Sequence, residues 1–418
     1  MLGENKNKKY FCRPNKLNNL KLKKMKKQFR NLVLFFTAVV LLTSCNTQEV
    51  EKQASIEKKN YVVKEQLAKK IALQMLSEKG KNTIVEKDVT ISSLNDANED
   101  PYFYIVNEQG KNKESFVIVS GDKRLEPVLA YGNEIFDLED APEELKFWMK
   151  GYTNKIDYLR QEEKDIKEVS LKKFDAKVER VGAKSSLQQR KENEHVSQLI
   201  ETSWGQRCVY NSFSPKKEDI DCEDTNFPCG RAYTGCVATC LSQVVNYYEA
   251  MDGYNYSILK NNYVDSDLGT ASGNEVGKLM KEIGDIMKMK YTCTGSLSYT
   301  GSILKSEVRE SLGFDEQLKY KRLNSMNLDD VYAELKAKHP IIISGKDYNN
   351  GRRAGHLWVL DGFTRYYGAK EGDDTVYFHF NLGWNGRSNG WYLYNDFNLG
   401  SYNLNHYVTM YYNFRKNN

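Results

Sequence analysis

The chain has 418 residues, 40% of them hydrophobic and 12% aromatic, which is enough to bury a sizeable core and to form two domains. The formal net charge is +5, but residues 1–30 hold eleven Lys and Arg against one Glu, which leaves about −5 for the rest of the chain. This balance predicts no basic surface for nucleic acid and argues against a nucleic-acid partner.

The N-terminal segment has the pattern of an export signal. Basic residues precede an apolar run from Leu32 to Leu42, which is too short for a membrane span and typical of a signal peptide. The run ends at Cys45 in a sequence that resembles a bacterial lipobox, whose Cys becomes the lipidated first residue. We therefore expect residues 1–45 to be a signal peptide, with Met25 as an alternative start. A plain signal peptide that contains a Cys by chance is the alternative.

Residues 46–160 are predicted to form a small α+β domain. Apolar residues of helical spacing flank a predicted hairpin of Tyr102–Val106 and Ser115–Ser120, and nothing in this stretch indicates catalysis. Residues 161–198 are rich in Glu, Lys, Gln and Ser and show no period. They are predicted to be a flexible linker that is accessible to an activating cleavage, with a second domain at 199–418.

A helix beginning at Cys236 is the central prediction for this second domain. Apolar or small residues at 237, 240, 241, 244, 245 and 248 follow helical spacing, and Gly235 precedes them. The unpaired N–H groups and the positive dipole of a helix N-terminus favour the thiolate, which is the nucleophilic form of Cys. The alternative is a small buried residue without chemistry.

The last ninety residues are predicted to be rich in strands. A helix at Leu328–Leu335 precedes four strand patterns with Asn-Gly turn signals, namely Pro340–Ser344, His356–Leu360, Val376–Asn381 and Trp391–Tyr394. The expected fold class is therefore α+β, with the Cys-bearing helix packed on an antiparallel, strand-rich half.

A nucleophilic Cys236 needs a base, and the chain has five His. His356 is favoured because small residues precede it at the start of a strand and leave room for a close approach. His379 alternates within the next strand and is equally well explained as a core residue, while His195, His339 and His406 are expected at the surface.

Three more residues complete the predicted site. Asn381, at the end of a strand, could orient the imidazole through its amide, although a turn-forming Asn is as good an explanation. Trp384 follows closely and would exclude water. The Cys236 backbone N–H and the Gln206 side chain could bind an oxyanion, but Gln206 by itself is most simply a surface residue.

Several motifs in fixed order resemble the streptopain-like cysteine peptidases, a branch of the papain-like clan. They are Trp204-Gly205-Gln206, Tyr210-Asn211, Thr234-Gly235-Cys236-Val237-Ala238-Thr239, Gly355-His356 followed by Asp361-Gly362, and Phe380-Asn381-Leu382-Gly383-Trp384. Upstream, residues 116–124 and 127–131 resemble the inhibitory prodomain of that family. The resemblance implies a papain-like fold, Cys236 as nucleophile, His356 as general base and acid, Gln206 in the oxyanion hole and Trp384 as a wall over the His.

The chain departs from the family pattern at two positions, since Leu382 stands where Trp is common and Cys208 where Pro is usual. The additional cysteines, Cys208, Cys222, Cys229, Cys240 and Cys293, are odd in number, so at least one should stay free or pair between chains. A disulfide between Cys236 and Cys240 is disfavoured by helix geometry. The Cys spacing also does not match the usual paired ligands of zinc, so we expect no metal and no cofactor.

The sequence thus predicts a secreted or surface-tethered cysteine endopeptidase, made as a zymogen that its own prodomain inhibits. It would hydrolyse proteins through a thioester at Cys236, and a lipid at Cys45 would be its sole membrane attachment. Two alternatives stay open at this point: a papain-clan acyl transferase or amidase, and a catalytically silent surface lipoprotein that binds proteins.

Overall fold

The computed structural model describes residues 61–417, apart from 81–87, 111–112, 140, 142, 162–173, 176, 180–193, 221–227, 293–294, 323–327, 348–353, 368–373, 395–397, 400–401 and 404–408. The described residues belong to one compact unit that runs from Tyr61 to Asn418. The predicted signal peptide, Met25 and Cys45 lie outside the described residues, as do Cys222, Cys293 and His406. None of the helices in the described ranges is long and apolar enough to cross a membrane.

The helices follow the apolar periodicity of the sequence. In chain order they are α1 (Glu65–Gly80), α2 (Glu143–Gln161), α3 (Cys236–Tyr248), α4 (Ala271–Ile286), α5 (Ser306–Ser311) and α6 (Leu328–Lys336). Short 3-10 helices occur at Glu218–Ile220, Pro228–Gly230, Tyr256–Ile258, Asp265–Asp267 and Thr300–Leu304. The predicted helix that begins at the nucleophile candidate is confirmed as α3.

The strands include all four that were predicted for the last ninety residues, here β9 to β12. In chain order they are β1 (Val89–Asn95), β2 (Pro101–Gly110), β3 (Lys113–Ser120), β4 (Val128–Gly132), β5 (Glu194–Val196), β6 (Lys290–Tyr291), β7 (Ser296–Leu297), β8 (Lys319–Arg322), β9 (Ile341–Asp347), β10 (Ala354–Tyr366), β11 (Thr375–Asn381), β12 (Gly390–Leu393), β13 (Asn398–Leu399), β14 (Tyr402–Asn403) and β15 (Thr409–Tyr412). The α+β fold class is confirmed.

One antiparallel sheet runs through both halves of the chain. Its strand order is β1-β2-β3-β4-β12-β11-β10-β9-β15-β8, and β5 pairs with β10. The N-terminal half supplies β1 to β4 and the C-terminal half supplies the rest, with Trp391 opposite Tyr131 and Tyr392 opposite Ala130 at the junction. The halves therefore share one sheet rather than building two separate ones.

Three large apolar clusters of described residues pack on the sheet, and the third of them packs α6 on β9, β10 and β11. The first packs α1 and α2 on β1–β4 and also contains Tyr377, Leu382, Tyr392 and Leu393 from the C-terminal half. The second packs α3 and α4 against β9, β10 and β15. The site residues lie between these clusters, on α3 and at the ends of β10 and β11.

The region predicted as a linker is ordered where the structure describes it. Glu194–Val196 form β5, opposite Phe363–Arg365 of β10. Upstream, Phe174 and Val178 pack in the first cluster. The predicted boundary at residue 199 stays a prediction, but the C-terminal sheet already begins at Glu194.

Candidate active site

Cys236 is the first residue of α3, at the helix end whose backbone N–H groups have no partner within the helix. Gly235, the N-cap residue, has φ +85°. A Cβ at this position would fall 2.8 Å from the carbonyl oxygen of Ser296 and would clash with Met289, so the turn requires Gly. The remainder of α3 is buried through Val245, which fixes the helix in the core. Cys236 itself is a free thiol of intermediate exposure and thus reachable by a substrate.

Gln206 is bound next to the start of α3 through its backbone. The N–H of Thr234 donates to the carbonyl of Gln206 at 3.1 Å, and the Thr239 hydroxyl donates to the carbonyl of Gly205 at 3.3 Å. The side chain is buried, and its Nε2 has no hydrogen-bond partner among the described residues. A buried donor without a partner is costly unless a ligand uses it, as an oxyanion would.

His356 lies on β10 in a buried aromatic environment. Its ring is nearly parallel to Trp384 at 5.9 Å and to Trp358 at 6.0 Å between centroids. Its Nε2 lies 2.9 Å from the carbonyl oxygen of Leu382. Because a carbonyl only accepts, this contact assigns the proton of a neutral ring to Nε2 and leaves Nδ1 as the basic nitrogen. Trp384 thus lies where a wall over the His was predicted.

Asn381 does not orient His356 in this structure, which differs from the role predicted for it. Its Nδ2 donates to the carbonyl of Thr202 at 2.6 Å and to Oε1 of Gln243 at 3.1 Å. The backbone carbonyl of Leu382 occupies the orienting position instead. The Asn381 side chain is thus hydrogen-bonded to partners in the core.

His379 is hydrogen-bonded to a buried carboxylate, and this contact was not predicted. Its Nδ1 lies 2.6 Å from Oδ1 of Asp361, a residue with no exposed surface. The other oxygen of Asp361 accepts from the N–H groups of Leu199 and Ile200 at 3.1 and 2.9 Å. Asp361 therefore connects the start of the C-terminal half to His379 in the sheet, and this contact gives His379 a structural explanation.

The cysteines in the described ranges divide into one disulfide and two free thiols. Cys208 pairs with Cys229, while Cys236 and Cys240 are free. Burial raises the pKa of the Cys240 thiol well above its usual value, and the charge of Cys236 adds to this effect. Cys240 is thus an inert core residue. Among the described residues there is no group of three His, Cys, Asp or Glu that could hold a metal ion.

The N-terminal half contacts the site through the segment that follows β4. A cavity of about 150 Å³ lies at this junction, and its lining includes Glu134, His379, Asn381 and Trp391. The Glu134 carboxyl lies so close to Gly386 that a side chain there would clash with it. Burial, with help from the charge of nearby Glu114 and against that of Arg387, raises the pKa of Glu134 to about 7.

Comparisons with known proteins agree with this geometry. Residues 204–253 and 249–392 match the Peptidase C10 family, and residues 60–156 match the Spi protease inhibitor family. The match to the thiol protease/hemagglutinin PrtT of Porphyromonas gingivalis is 25% identical over 343 residues, which is 72% of this chain and 35% of PrtT. The chain thus spans about a third of PrtT. Streptopain of Streptococcus pyogenes is 25% identical over 324 residues, covering 70% of this chain and 73% of streptopain.

A solved structure shares the fold. A prointerpain A fragment of Prevotella intermedia aligns with a TM-score of 0.53 and 23% identity, over 77% of this chain and 98% of the fragment. The family models match both halves of the chain, in the order that a precursor with an inhibitory region would have. Residues 204–392 thus match the Peptidase C10 family, the streptopain-like cysteine peptidases, and a region that matches the Spi protease inhibitor family precedes them.

Proposed function

We propose that the chain is the precursor of a cysteine endopeptidase that cleaves proteins and is kept latent by its own N-terminal domain. The observation that carries the proposal is the free, accessible Cys236 at the start of a buried helix, with buried Gln206 bonded through its backbone to Thr234, two residues before Cys236. The Gln206 Nε2 has no partner among the described residues. A nucleophile beside a donor of this kind is what acyl transfer requires.

The proposed mechanism uses these groups in order. The Cys236 thiolate attacks the peptide carbonyl, and its own backbone N–H and the Gln206 amide stabilise the oxyanion. His356, with Nε2 bonded to Leu382, carries the proton on Nδ1 and gives it to the leaving amine. Water then attacks the thioester, with the same nitrogen as base, and restores the thiolate. Trp384 keeps bulk water away from the imidazole.

Latency would come from the shared sheet and from apolar packing. Trp148 of α2 contacts Tyr392 of β12 edge to face, with 5.1 Å between ring centroids. The Leu382 side chain packs in the N-terminal cluster while its carbonyl holds His356. An inhibitor docked on this segment touches the same residue, Leu382, whose carbonyl contacts the imidazole, which supports the proposal of an inhibitory prodomain.

We also propose that the precursor is exported and tethered by a lipid at Cys45, and that cleavage in the 161–198 region activates and releases it. Val178 packs in the N-terminal cluster, whereas Glu194 begins β5, which pairs with β10. Cleavage between these two residues would therefore separate the part of the chain that packs with the N-terminal half from the part that packs with the C-terminal half. Fractionation of cells before and after processing tests this proposal. Catalytic fragments that all stay in the membrane pellet would exclude the release step.

Digestion of casein by the processed wild type and by Cys236→Ala tests the peptidase proposal itself. We expect hydrolysis to depend completely on Cys236, and labelling by an epoxysuccinyl probe to follow the same pattern. Labelling without hydrolysis would favour an acyl transferase or amidase. No Cys236-dependent labelling after processing would instead indicate a silent binding protein.

A further inference from the structure

A reciprocal amide pair lies in the core between the site residues. Gln243 of α3 has no exposed surface, and Asn381 at the end of β11 is also buried. The Gln243 Nε2 donates to Oδ1 of Asn381 at 3.2 Å, and the Asn381 Nδ2 donates to Oε1 of Gln243 at 3.1 Å. Gln243 is one of few polar side chains in a helix core that is otherwise apolar or small.

The same Gln243 oxygen also binds the segment that leads to Gln206. It accepts from the Thr202 hydroxyl at 3.0 Å and from the Trp204 N–H at 3.1 Å. Trp204 lies two residues before Gln206 in the chain. One side chain on the Cys236 helix therefore holds the segment that leads to the proposed oxyanion donor.

The other side of the pair leads to His356. The Asn381 side-chain oxygen accepts from the N–H of Gly383 at 3.3 Å. Between these two residues stands Leu382, whose carbonyl accepts from His356. The amide pair thus determines the position of the backbone that orients the imidazole.

We propose that Gln243 is a positioning residue of the peptidase. From the Cys236 helix it bonds the segment that leads to Gln206 and the residue next to Leu382, whose carbonyl contacts His356, and so sets the relative positions of these three groups. The inference rests on the proposed function. Burying an amide in a helix core costs free energy that an apolar side chain would not, unless its hydrogen bonds are made. Here every named bond goes to another segment of the site and none to a neighbouring turn of α3, as a positioning role requires.

Gln243→Met in the full chain, activated by processing, is the primary test, because Met keeps the length of the side chain and removes its hydrogen bonds. We expect kcat to fall about tenfold to a hundredfold, as misplacement of reacting groups by about 1 Å does, with KM within about threefold of the wild type. The pH profile of Cys236 alkylation by iodoacetamide should also move, because the substitution changes the placement of the thiol relative to the imidazole.

Two further variants keep the test decisive. Ser242→Ala is the matched control, because Ser242 is the buried neighbour on α3 and its hydroxyl has no partner among the described residues. We expect it to leave kcat and the alkylation profile unchanged. Thr202→Val removes one bond to Gln243 at little change in shape, and should lower kcat about threefold to tenfold with KM unchanged. Thr202→Val provides the test if the Gln243→Met variant does not fold.

Folded Gln243→Met or Thr202→Val enzyme with wild-type kcat and an unshifted alkylation profile would overturn the positioning role. A fall in kcat that only matches the unfolded fraction in a thermal melt would overturn it as well. Alkylation needs no substrate hydrolysis. A wild type that alkylates normally but cleaves no protein would therefore refute the proposed function, while the alkylation profiles of the variants would still decide the role of Gln243.

Discussion

Replacing Glu134 with Gln should remove a pH dependence from the docking of the prodomain. The carboxyl lies at the junction against Gly386, and burial raises its pKa from 4.5 to about 7. The docked precursor therefore favours the protonated form more than the released prodomain does. Docking is strongest below pH 4.5, weakens as the pH rises towards 7, and stays weakened above it.

The size of the effect follows from the same shift. At about 1.4 kcal/mol per pH unit, ionising a fully desolvated Glu134 would cost the docked state about 3 kcal/mol. Because Glu134 is half-buried, solvent screening reduces this to about 1–2 kcal/mol. The opening constant of the junction should therefore rise about tenfold between pH 5 and pH 8. Arg387 opposes the shift, while Glu114 increases it.

Hydrogen exchange of the β4 and β12 amides measures this opening directly, in precursor carrying Cys236→Ala so that it cannot process itself. After correction for the intrinsic pH dependence of exchange, Glu134→Gln should show a flat opening free energy across this range. Asp137→Asn, an exposed carboxylate in the same segment, is the control and should behave like the parent. Equal pH dependence in the parent and in Glu134→Gln would refute the reasoning.

Two other substitutions test the geometry of the site. Gln206→Leu should lower kcat about a hundredfold to a thousandfold, because it removes an oxyanion donor. Alkylation of Cys236 should stay nearly unchanged, because the nucleophile is still present. Equal losses in both assays would assign Gln206 a structural role. Gly235→Ala should lower the melting temperature and slow alkylation, because φ +85° is strained for Ala and its Cβ meets Ser296 and Met289. A fully stable and reactive Gly235→Ala chain would show that the turn tolerates a side chain.

The parts of this site that have a local sequence pattern could be predicted. The parts formed by backbone groups that are far away in the chain could not. The start of α3 and the placement of His356 at a strand follow from apolar periodicity and small neighbours. The orienting group could not be predicted, because the carbonyl of Leu382 has no side-chain signature and Asn381 was the nearest residue with suitable chemistry.

Gln243 and the shared sheet were missed for a related reason. A Gln on the buried side of α3 is a visible signal, but its partners lie far away in the chain, at Thr202 and Asn381. The pairing of β4 with β12 was not expected, because each half has enough strand pattern to form a sheet of its own. Local sequence predicts the strands, whereas the choice of neighbouring strand depends on how the apolar clusters pack.

The short junction between β4 and β12 has a consequence for the enzyme after processing. Among the described residues, β4 and β12 are paired at two positions, whereas β2 and β3 are paired at eight. Once the prodomain leaves, β12 becomes a sheet edge with unpaired N–H and C=O groups, and such edges promote aggregation. Since β12 has four residues, it offers another chain too short a template for stable pairing. The short pairing would let the inhibitor leave without breaking a long ladder, and it would also limit strand pairing between copies of the proposed mature enzyme.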